Sequence, residues 1–107
     1  MKKFDEIFDE VIFGFEICRS ELVLNNMEFT KKTIDKLIEN LQYLKELLNT
    51  KKGIQLAEDL YDCFTFFQKE LQQVQSSSDI TRYDEVYTLI KDLRGAFFEK
   101  IFSQQIN

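Results

Sequence analysis

Proline is absent from all 107 residues of the chain, and glycine occurs only at Gly14, Gly53 and Gly95. Proline removes a backbone donor and breaks the helical ladder, and glycine is the residue that most readily ends it. A chain with so few of either can form long helices, and its apolar residues recur at helical spacing. Phe4, Ile7, Phe8, Val11, Ile12, Phe15, Cys18 and Leu22 follow the i, i+3, i+4, i+7 rule and predict a helix from about Phe4 to Leu24, closed by Asn25 and Asn26. Ile34, Leu37, Ile38, Leu41, Leu44 and Leu48 predict a second from about Thr30 to Leu48, stopped by the cations and glycine of "NTKKG". Leu56, Ala57, Leu60, Cys63, Phe64, Phe67, Leu71 and Val74 predict a third from Ile54 to about Gln75. After the polar loop "SSSD", Thr81 followed by Asp84 predicts an N-cap for a fourth helix over 82–102, with Tyr83, Val86, Tyr87, Ile90, Leu93, Phe97 and Ile101 on one arc. Four amphipathic helices with short loops imply an all-α fold: an antiparallel four-helix bundle, one domain over 1–107.

Composition narrows the functions open to such a bundle. With 44% hydrophobic and 31% charged residues and no run near the ~20 apolar residues of a membrane span, the chain is expected to be soluble, with no membrane insertion. Its start, "MKKFDEIFDE", turns acidic too soon for a secretory signal, so the expected location is cytoplasmic. A net charge of −5 argues against binding nucleic acid, which needs clustered Lys and Arg. Cys18 and Cys63 form no C-x-x-C and fall on apolar arcs, so both are expected reduced and buried.

The complete lack of histidine removes Ser-His and Cys-His nucleophile pairs and the Glu-x-x-His metal motif of carboxylate bundles. No glycine-rich phosphate loop is present. Asp5, Glu6, Asp9 and Glu10 flank the apolar arc of the first helix and read as its solvated face. No enzymatic activity, catalytic residue, metal or cofactor is expected. Arg94 falls inside the apolar arc of the fourth helix, and a structural ion pair with a carboxylate is expected there.

Several apolar residues exceed what a bundle core requires. Phe66 projects from the far side of the third helix among Asp59, Asp62, Glu70 and Gln73. Phe13, Ile17 and Leu24 point within roughly 40° of one another, opposite the main arc of the first helix. Tyr43 and Leu47 share the back of the second helix, and Leu89 and Phe102 flank the arc of the fourth. Either the first helix sits centrally with two apolar faces in the core, or these residues await another chain. A contiguous exposed patch above about 300–600 Å² usually marks an interaction site.

From Gly53 onward, "GIQLAEDLYDCFTFFQKELQQVQSSSDITRYDEVYTLIKDLRGAF" resembles the C-terminal half of the flagellar export chaperones of the FliS type. In that family the pattern runs G-G-E-I-A-x-N-L-x-x-L-Y-D-Y-M, a loop with Asp, L-D-E-V and then L-R-x-A-W. Without a gap, Leu56 and Ala57 stand at I-A, Leu60 at the following L, and Phe64 to Phe67 at Y-D-Y-M. Asp79 meets the loop Asp, Tyr83 to Val86 the L-D-E-V segment, and Leu93 to Phe97 the L-R-x-A-W segment. Ile7, Phe8, Val11, Ile12 and Gly14 resemble the family's L-I-x-M-L-Y-D-G more faintly. The family's N-terminal tail with its Ser-Pro step has no counterpart here, and its glycine pair is reduced to Gly53.

The resemblance implies a helical bundle without enzymatic activity that holds the disordered C-terminal region of flagellin, blocks its premature polymerisation and presents it to the export apparatus. A client of that kind folds into helices against apolar grooves on the chaperone. Phe13, Ile17, Leu24, Phe66, Leu89 and Phe102 are the expected client-binding residues. Two alternatives stand beside this reading: a homodimer joined through the outer stripes, and a co-chaperone or regulator that binds another flagellar protein in place of flagellin.

Overall fold

The computed structural model describes residues 3–51 and 53–100, with side chains up to Ala96. Four helices follow one another: α1 (Phe4–Val23), α2 (Met27–Leu48), α3 (Gln55–Ser77) and α4 (Ile80–Lys100), with a short 3₁₀ turn at Asn49–Lys51. Each helix packs on the next and α4 returns to α1, closing an up-down-up-down bundle.

The helix ends depart from expectation where a cap residue outcompetes the apolar series. α2 starts at Met27, ahead of Thr30, because the Asn26 side chain accepts the Phe29 N–H at 3.4 Å. α4 starts at Ile80 because the Asp79 carboxylate accepts the Arg82 N–H at 3.1 Å, so Asp79 and not Thr81 begins the helix. Asn25 (φ 59°) and Ser78 (φ 56°) occupy the left-handed region that reverses the chain after α1 and α3. Gly53 (φ 88°) does so before α3.

The core is a column of side chains from all four helices, with Phe8, Val11 and Phe15 of α1 fully buried beside Leu41, Phe64, Tyr83 and Ile90. Aromatic rings knit α1 to its neighbours. Phe8 meets Phe4 and Phe64 edge-on, at 6.1 and 5.4 Å between centroids. Phe15 packs on Tyr83 at 5.3 Å and stacks on Tyr87 at 5.8 Å. Cys18 is buried, whereas Cys63 is only half-buried, because its arc turns toward the edge of α3 and not into the column.

Two glycines lie inside helices for opposite reasons. A Cβ on Gly14 would fall 2.8 Å from Leu37 Cδ2, so the missing side chain sets how closely α1 and α2 approach. Gly95 faces open space. Gly14→Val is therefore expected to destabilise by about 1–3 kcal/mol through overpacking. Gly95→Ala is expected to stabilise by roughly 0.5–1 kcal/mol through helix propensity. Urea denaturation midpoints check both signs.

Candidate interaction surface

α1 is fastened to α4 by polar groups along one flank. Arg19 forms a two-pronged pair with Asp84 at 2.7 and 3.0 Å, and the Tyr87 hydroxyl donates to Glu16 at 2.8 Å. Arg94, almost wholly buried, donates to both oxygens of Asp9 at 2.8 and 3.2 Å and lies over the Phe8 ring. The buried Tyr83 hydroxyl donates to the Phe15 carbonyl. Burial pushes this phenol far above its ordinary range, so it stays protonated and keeps donating. Burial likewise raises the Cys18 thiol, which holds it neutral within the core.

The Asp84 carboxyl is lowered chiefly by its hydrogen bond from Arg19. A carboxylate depressed in the folded state adds stability above its unfolded titration range, and that stability is lost as pH falls through the folded one. Asp84→Asn is accordingly expected to lower the thermal midpoint at neutral pH, with the difference from the parent chain vanishing in acid. Both groups are solvent-screened, so the effect is small.

On its other flank α1 closes on α2 at Gly14. Between the two flanks runs a face that no helix of the bundle covers, and it carries Phe13 (62% exposed), Ile17 (43%) and Leu24 (73%). At 1.5 Å per residue these three make a ridge roughly 16 Å long. Val23 and Phe29, not singled out from the sequence, are also exposed where the chain turns into α2 and extend the apolar surface at that end. A central α1 with two apolar faces in the core is thus not the arrangement adopted.

Phe66 and Leu89 are each about half exposed, on α3 and α4, the two helices that meet at the α3–α4 seam. Arg82 of α4 pairs with Glu70 of α3 across this seam. Leu89 is two turns along α4 from Arg82, and Phe66 one turn back along α3 from Glu70, so antiparallel packing brings both to the same side of the pair. Tyr43 is exposed on α2, and Leu47 is half-buried against the core. Phe102 lies outside the described residues. The exposed apolar residues therefore comprise the α1 ridge with its extension at Val23 and Phe29, Phe66 and Leu89 on α3 and α4, and the isolated Tyr43 on α2 and Ile54 just ahead of α3.

Among the described residues no helix is long and apolar enough to cross a membrane, and no group of three His, Cys, Asp or Glu side chains is placed to hold a metal ion. The family model described as flagellar protein FliS matches residues 6–105. The chain belongs to the FliS family. No curated protein matches the sequence significantly. FliS membership puts this bundle among the chaperones of flagellum biogenesis, a family that is not enzymatic.

Proposed function

We propose that this chain is a single-domain cytoplasmic export chaperone that binds the disordered C-terminal region of flagellin, prevents its premature polymerisation and aids its delivery to the export apparatus. The observation that carries this reading is the α1 ridge of Phe13, Ile17 and Leu24, left open while both flanks of the helix are fastened to neighbours. A disordered segment that folds into an amphipathic helix on such a ridge buries apolar surface on both sides and offsets the entropy lost in ordering it. Phe66 and Leu89, exposed on α3 and α4, give the same client further apolar footholds. The work is binding alone, without a catalytic step or a cofactor.

Titration calorimetry with the flagellin C-terminal segment of the same organism tests the proposal. A one-to-one complex with a gain in helicity is the expected result. No heat and no helicity gain would remove flagellin as the client.

A further inference from the structure

The formal charge of this chain is unevenly distributed. α1 holds six of its 19 acidic residues, Asp5, Glu6, Asp9, Glu10, Glu16 and Glu21, but only one of its 14 basic residues, Arg19. Thirteen of each sign are left for everything else, so the net charge of −5 is that of α1 alone. The flanking helices α2 and α4 carry four acidic and four basic residues each and are neutral. The ion pairs that join α1 to α4 leave the balance as it is, because Arg94 brings one positive charge to Asp9 and Asp84 one negative charge to Arg19. Glu16 and Glu21 accept from neutral donors, the Tyr87 hydroxyl at 2.8 Å and the Asn26 amide at 3.2 Å. Lys2 and Lys3 precede the helix in the sequence, and with them residues 2–23 still hold six acids against three bases.

This charge borders the α1 ridge. Glu6, Glu10, Phe13, Ile17 and Leu24 are all exposed and follow one another at helical steps of four, three, four and seven along one face. The ridge therefore runs into two carboxylates toward the start of α1, with Glu6 about 10 Å along the axis from Phe13. A second copy of this chain does not fit there, because a two-fold contact through the ridge would set α1 against α1 with the whole excess of negative charge on both sides. Nucleic acid and an anionic membrane surface are repelled for the same reason. We propose that the α1 ridge receives an amphipathic helix whose apolar strip covers Phe13, Ile17 and Leu24 and whose lysines or arginines, at one end of that strip, meet Glu6 and Glu10. The inference rests on the reading of the ridge as a docking surface and adds the charge of what docks there. The apolar strip supplies affinity, and the cations at one end supply direction and a faster encounter.

Two synthetic helices test this, each about 18 residues long with the same leucine strip, one ending in lysines and the other in glutamates. Fluorescence anisotropy with the full chain is expected to show the lysine-ended helix binding about tenfold tighter at about 0.05 M salt, the difference shrinking as salt rises to about 0.3 M. Phe13→Ser with Ile17→Ser should weaken both helices about tenfold or more. Glu6→Gln with Glu10→Gln, which keeps the shape of both side chains, should bring the two helices within about threefold of each other. Glu6→Lys with Glu10→Lys should reverse the preference, an outcome that damage to the fold does not produce. The control pair Glu46→Lys and Asp59→Lys changes net charge as much on α2 and α3 and should leave the order of the two helices as it was. Equal binding of both helices, no binding by either, a preference untouched by the Glu6 and Glu10 variants, or a reversal by the control pair would overturn the proposal. So would a dimer in light scattering that Phe13→Ser with Ile17→Ser separates, since a second copy would then occupy the ridge. The probes carry no flagellin sequence, so a failed flagellin titration beside the expected peptide results would overturn the client assignment alone.

Discussion

Phe8→Ala is expected to lower the stability of the bundle by about 3–5 kcal/mol, at the upper end of what a single core truncation costs. The Phe8 ring is fully buried, touches Phe4 and Phe64 edge-on and lies beneath the Arg94 guanidinium. Its removal takes away the transfer term of a whole aromatic side chain and opens a cavity that three helices border. It also strips the packing from beneath a nearly buried cation. A domain of this size has only about 5–15 kcal/mol in hand, and its thermal midpoint moves roughly 4–8 °C for each kcal/mol. Scanning calorimetry should therefore find a drop of more than about 12 °C. A shift of only a few degrees would mean that the aromatic column is not the centre of the core.

The second large effect concerns binding and should leave stability alone. Phe13→Ser, Ile17→Ser and Leu24→Ser together remove the α1 ridge, whose members are all exposed on the surface of the bundle. Substitutions at such exposed positions usually change stability by no more than about 0.5 kcal/mol each. A client that covers the ridge would lose about 1 kcal/mol or more at each position, a combined weakening on the order of 100-fold for the flagellin C-terminal segment. Calorimetric titration reads the affinity, and urea denaturation of the same variant reads the stability. Unchanged affinity would clear the ridge of any part in client binding. Lost affinity accompanied by lost stability would show that the ridge belongs to the core.

The helices and the α1 ridge are legible in the sequence because both follow from the angular period of the helix. Phe13, Ile17 and Leu24 fall opposite the Phe8 and Phe15 arc by arithmetic alone, and a helix flanked on two sides leaves that direction open. Contacts between helices are not legible. The Asp9 partner of Arg94 lies 85 positions away and reads locally as one more solvated acid. The Tyr83 hydrogen bond to the Phe15 carbonyl spans 68 positions, and Tyr83 reads locally as an apolar arc residue. Phe29 escapes the periodicity because the apolar series places the start of α2 at Thr30, whereas the Asn26 cap begins it earlier and turns Phe29 outward. The stretch "SSSDIT" offers several capping residues in a row, and the left-handed turn at Ser78 leaves Asp79 to act as the cap.

Methyl NMR of the full chain bound to the flagellin C-terminal segment tests the central claim most directly. Intermolecular NOEs from the client to the Ile17 and Leu24 methyls, with none to the buried methyls of Leu41 and Ile90, are the predicted result. A saturated complex in which the Ile17 and Leu24 methyls show neither NOEs nor shift changes would contradict it.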